Sequence, residues 1–116
     1  MTGGAEHRAS RRGRRALART LRAIMGRDIA EVRITRVRWD DGAHWVALAL
    51  AVDPQPPFGH REIPLADGSL HREIALLIQN AFPGADWSVA QDYDVTTGVL
   101  REHQVHLPAC LRGEQP

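Results

Sequence analysis

Residues 43–52 read Ala-His-Trp-Val-Ala-Leu-Ala-Leu-Ala-Val, and this stretch decides the fold class. The large side chains Val46, Leu48, Leu50 and Val52 recur at every second position, with Ala47, Ala49 and Ala51 between them. Successive strand residues point to opposite faces, so a period of two describes a β-strand with one bulky and one smooth face. The bulky face, Leu48 included, is expected in the core. The smooth Ala face predicts close approach by a helix or a second subunit.

Towards the N-terminus, Asp40-Asp41-Gly42 forms a hairpin turn with a glycine free to take positive φ. Residues 29–39 precede it and also alternate, with β-branched Val32, Ile34, Thr35 and Val37. Their apolar parity changes between Ile34 and Val37, which predicts a bulge near Thr35–Arg36. Before them, Leu17, Leu21, Ile24 and Met25 fall at the i, i+4, i+7 and i+8 positions of an amphipathic helix. Ser10 is suited to the N-cap and Gly26 to the C-cap, so a helix over 11–25 is predicted. Residues 1–9 show no periodicity and read as a disordered N-terminal tail.

Towards the C-terminus, a Pro-rich loop over 53–59 leads to a short edge strand at 60–65. Ser69 then caps a second helix over 70–82, with Leu70, Ile74, Leu77, Ile78 and Ala81 on its buried stripe and Pro83-Gly84 ending it. Residues 87–95 and 99–107 read as a hairpin around a three-residue loop, Thr96-Thr97-Gly98. That register sets Val95 against Val99, Val89 against Val105 and Trp87 against Leu107, all apolar pairs on one face. Trp87 and Val89 are therefore expected to be buried. The predicted order is α-β-β-(β)-α-β-β. It describes an α+β fold with an antiparallel sheet of four to five strands, built from two hairpins with two helices on one face. One domain over residues 10–108 follows, with a C-terminal tail over 109–116.

The composition agrees with one globular domain: 116 residues, 43% apolar and 25% charged. All fifteen cations are Arg, as in a GC-rich bacterial genome, so part of the Arg content reflects codon usage. The longest apolar run, residues 45–52, is far short of the ~20 residues that cross a bilayer. No secretory pattern follows the N-terminal charges, and the single Cys110 offers no disulfide. A cytoplasmic protein without membrane attachment is the expectation.

The net charge of +1 conceals an asymmetry. Residues 1–38 carry eleven Arg against three carboxylates, a net +8, and residues 39–116 carry a net −7. Arg15, Arg19 and Arg22 share the outer face of the first helix, with Arg11 one turn before them. Guanidinium groups at that spacing suit phosphate oxygens, and nucleic acid is the leading external partner. Two other readings stand beside it. The helix can dock on an acidic protein surface, its own or a partner's, or the Arg can simply be solvated. Opposite charge and the Ala face together favour a homodimer.

A second candidate site is polar. The predicted register sets Asp92 opposite Glu102, with Asp94 and His103 close by, and like charges facing each other in a sheet invite a cation or a basic partner. A pocket between the second helix and the sheet, with Asp92, Glu102, His103 and Tyr93 as its polar groups, would suit a small enzyme or small-molecule binder. No metal site is expected, since His103 and His106 fall on opposite faces of a strand. No nucleophile motif, P-loop or dinucleotide fingerprint is present, so neither a catalytic residue nor a cofactor is assigned. The reading is a non-catalytic binding or regulatory module acting through an electrostatic partner.

Overall fold

The computed structural model describes residues 6–52, 55, 59–65 and 68–103. The fold is α+β. A six-stranded antiparallel sheet has the spatial order β1-β6-β5-β2-β3-β4, with helices α1 and α2 on one face. The strands are β1 (Glu6–Arg8), β2 (Glu31–Trp39), β3 (Gly42–Val52), β4 (His60–Ile63), β5 (Gln91–Asp94) and β6 (Val99–Glu102). The helices are α1 (Arg11–Met25) and α2 (Gly68–Ala81).

α1 spans the expected residues because its caps are strong. The Ser10 hydroxyl accepts the Gly13 N–H at 3.0 Å. Gly26 ends the helix at φ 75 and donates its N–H to the Arg22 carbonyl. Leu17 and Leu21 are buried, one turn apart. α2 begins at Gly68, so Ser69 lies inside its first turn instead of capping it. Ile74, Ala75 and Ile78 are completely buried, and Leu77 is half-buried against the same core.

The core lies between the helices and the face formed by Val32, Ile34, Ala47, Ala49, Tyr93 and Leu100. β3 therefore turns its Ala face inward. Ala47, Ala49 and Ala51 are buried, the first two in the core that α2 shares, where small side chains let the helix axis come close. This removes the Ala face as a dimer surface. Leu48 is not core, contrary to expectation: it lies half-buried on the opposite, open face with Val46 and Leu50, and Val52 there is 58% exposed.

The bulge near Thr35–Arg36 is also absent. β2 pairs with β3 without interruption from Glu31↔Leu50 to Trp39↔Gly42. The parity change arises because Val32 and Ile34 face the helices, whereas Val37 belongs to the open face of Val46 and Leu48.

The C-terminal hairpin differs from its expected register by one residue. Asp94, not Val95, stands opposite Val99, and the loop is four residues long, closed by Gly98 N–H to Asp94 C=O at 2.8 Å. The Asp94 carboxylate accepts the N–H groups of Thr96 and Thr97, and Val95 N–H bonds Ala30 C=O beyond the start of β2. Gly98 has φ 76 and sits against the Arg14 stem, where a Cβ would come within 3.1 Å. The expected register rested on Trp87 and Val89, which precede the strand. Val89 is 40% exposed, and the half-buried Trp87 donates its indole N–H to Phe82 C=O. Val105, Leu107 and the 109–116 tail lie outside the described residues. One consequence is chemical: Asp92 faces Arg101, so the like-charge pair with Glu102 does not form.

Glu6–Arg8, read from sequence as part of a tail, forms edge strand β1 on β6, and Arg101 Nε donates to Glu6 at 2.9 Å. Among the described residues no helix is long and apolar enough to cross a membrane.

Candidate nucleic-acid interface

The outer face of α1 follows from helical spacing. With Leu17 and Leu21 turned to the core, Arg11, Arg12, Arg15, Arg19 and Arg22 fall on the opposite side, and all five are exposed. Arg11, Arg12, Arg15 and Arg19 line a shallow depression of about 380 Å³. Arg12 is the member that the sequence reading omitted. It precedes Arg15 by three residues and Arg19 by seven, so the same periodicity identifies it. Arg22 differs from the other four, since its guanidinium meets Asp28 at 3.2 Å. No carboxylate pairs with Arg11, Arg12, Arg15 or Arg19 among the described residues.

Arg11 and Arg12 sit in the first turn of α1, which holds no acidic residue. Unsatisfied N–H groups give that end partial positive charge, and added cations there raise the local potential and oppose helix formation. The charge placement is thus unfavourable to the helix alone and favourable to a bound anion.

The carboxylates of the second candidate site lie elsewhere. Val32, Tyr93 and Leu100 face the helices, so their strand neighbours Glu31, Arg33, Asp92 and Arg101 face away from them. Asp92, Asp94, Glu102 and His103 do line one depression of about 380 Å³, with Glu31, Arg33 and Arg101. Asp92 is its hub. It accepts Arg33 Nε on one oxygen and His103 Nδ1 on the other, each at 2.8 Å. An ionised carboxylate only accepts, so the His103 ring carries its hydrogen on Nδ1. Asp94 is spent on the turn, and Arg33 and Arg101 offset part of the charge of the four carboxylates that line the depression. α1 therefore does not dock on Glu31, Asp92 or Asp94: these lie on the opposite face of the sheet.

The arrangement has limited chemistry. An Asp–His pair can orient a base, but among the described residues no hydroxyl or thiol lines the depression. Among the described residues no group of three or more His, Cys, Asp or Glu is placed to hold a metal ion. Asp86 is held below the usual carboxylate range by the Ser88 hydroxyl and N–H, a local turn feature away from either site.

A cleft does lie between α2 and the sheet, but its lining is not the expected one. His44, Trp45, Ser69, His71, Arg72 and Leu76 line it, whereas Asp92, Glu102 and His103 line the open-face depression and Tyr93 is fully buried in the core. Comparison with protein-family models, with curated proteins and with solved structures finds no match to this chain.

Proposed function

We propose that this chain is a non-catalytic binding module that takes nucleic acid through the Arg face of α1 and contacts the phosphate backbone. The observation that supports this is the row of Arg11, Arg12, Arg15 and Arg19, exposed, without carboxylate partners among the described residues and beginning at the positive end of its helix. Guanidinium groups bind phosphate oxygens in pairs, and such contacts position a protein without reading bases.

Affinity for a generic duplex should fall linearly with salt on log–log axes, by about 0.9 per phosphate contacted. Replacing Arg12, Arg15 and Arg19 with Gln should flatten that slope by up to ~3, equally for all sequences. The variant should keep its fold, because none of the three touches Leu17 or Leu21. Absence of duplex and single-strand binding by the parent at ~50 mM salt would overturn the proposal. Binding of poly-glutamate in its place would assign the face to an acidic protein partner.

A homodimer is a second reading, now through the open sheet face, where Val46, Leu48, Leu50 and Val52 form an apolar strip with nothing above it among the described residues. Light scattering at micromolar concentration should then give twice the 12.9 kDa chain mass, and Leu50→Glu should return the monomer.

A further inference from the structure

We infer that the cleft between α2 and the free edge of β3 binds a small amphipathic organic anion, an apolar aromatic or aliphatic body carrying one carboxylate or sulfonate. The site is separate from the α1 face and does not depend on its function.

The cleft exists because β4 covers only the last four of the eleven residues of β3. β4 pairs with Ala49–Val52, and Pro64, which follows its last residue, has no N–H to continue the ladder. On this edge, away from β2, no strand lies opposite residues 43–47 among the described residues. Ala47 N–H points from this edge to His71 Nδ1 at 3.1 Å. In a strand, the N–H and C=O of alternate residues point to the same side, so the Trp45 backbone also presents its donor and acceptor to the cleft.

Its dimensions and walls fit an organic ligand. The volume is about 830 Å³, within the range of small-molecule sites, and more than twice that of the Arg33/Asp92 depression. Trp45 and Val46 on the β3 side and Leu76 on the α2 side are apolar, and Leu76 is 43% exposed. The buried stripe of α2 is Ile74, Ala75 and Ile78, so the fold does not require an apolar residue at position 76.

The polar groups select the charge. Arg72, His71 and Ser69 line the cleft, and among the described residues no Asp or Glu does. Arg72 is exposed and has no ion pair among the described residues. His71 accepts on Nδ1, so its Nε2 carries the ring hydrogen and is a donor. The first turn of α2 itself, from Gly68 onward, contains no acidic residue. One guanidinium fork matches one carboxylate or sulfonate, and the aromatic wall takes the ligand body.

Titration with anilinonaphthalene sulfonate tests the site, with decanoate as competitor. Saturable binding of one molecule per chain is expected, with quenching of tryptophan emission and displacement by decanoate. Amide shifts should cluster at Trp45, Ser69, His71 and Leu76. Arg72→Gln should weaken binding at least about tenfold, the loss of one charge-assisted hydrogen bond. Leu76→Glu should abolish it, with circular dichroism unchanged because both positions are exposed. No saturable binding, shifts confined to Leu48, Leu50 and Val52 on the open face, or an Arg72→Gln variant that binds like the parent would each overturn the inference.

Discussion

The two faces of β3 differ in the opposite sense to side-chain size. The face under α2 carries Ala47, Ala49 and Ala51, all at most 3% exposed, whereas the face with Val46, Leu48, Leu50 and Val52 has no layer above it in the described chain. On the covered face the apolar volume comes from the helices, through Leu17, Leu21, Ile74 and Ile78, and the strand supplies flat ground for them. On the open face the large side chains cover one another and stand beside the charged pairs of Arg33 and Asp92. A residue is buried by the layer it faces, and bulk alone does not make it core.

The largest test of this contrast compares one residue from each side. Ile78 is completely buried between α2 and the Ala face, so Ile78→Ala should cost about 2–5 kcal/mol through lost burial and the cavity left behind. Leu48→Ala on the open face should cost about 1 kcal/mol or less, because the removed carbons already touch water. Urea midpoints of the two variants decide it. Equal costs would mean that the open face is covered in solution, and a concentration-dependent Leu48→Ala midpoint would identify the cover as a second copy.

A smaller effect tests the closeness of α2. Ala49 lies directly in the shared core and is 1% exposed. Ala49→Leu should overpack that layer and cost about 1–3 kcal/mol, although it raises hydrophobicity and β-propensity. The neighbouring change Leu50→Ile, on the open face, should be nearly neutral. If Ala49→Leu stabilised the protein, α2 would sit higher over the sheet than described.

Much of this architecture was legible because local chemistry and tertiary structure agree. Ser10 and Gly26 bound α1 as expected, and the periodicity over residues 43–52 named the strand. What failed depended on which layer covers which face. Alternation separates Leu48 from Ala49 but carries no label for the covered side. The β5–β6 register failed for a related reason: Trp87 and Val89 offered apolar matches, while the Asp94 side chain closing a four-residue loop left only a weak pattern. The Arg face of α1 was readable from spacing, Arg12 included. A cleft between α2 and the sheet was expected, but its lining by Trp45 and Arg72 was not, since that depends on β4 ending at Ile63, before Pro64, where the strand was expected to run to residue 65.

The smallest predicted effect concerns a polar atom on the covered face. Tyr93 is completely buried, its ring tilted against Phe82 with centroids 5.5 Å apart, and its hydroxyl has no hydrogen-bond partner among the described residues. Burial pushes the phenol above its ordinary value of 10.0; nearby Arg14 opposes this and Asp94 adds to it. Below about pH 10 the phenol is protonated both folded and unfolded, and this contribution to stability is fully present. As pH rises further the unfolded chain ionises first, so stability falls until the folded value is passed. Tyr93→Phe removes both the alkaline loss and a buried hydroxyl without a partner, so it should stabilise the protein by about 1 kcal/mol at neutral pH and flatten its stability near pH 11. Tyr93 is the chain's one tyrosine, so phenolate absorbance reads its ionisation directly in the parent. A variant about 1 kcal/mol less stable than the parent would show instead that the hydroxyl is bound in solution, by water or by a group on α1, and that the covered face is less dry than its Ala and Ile lining implies.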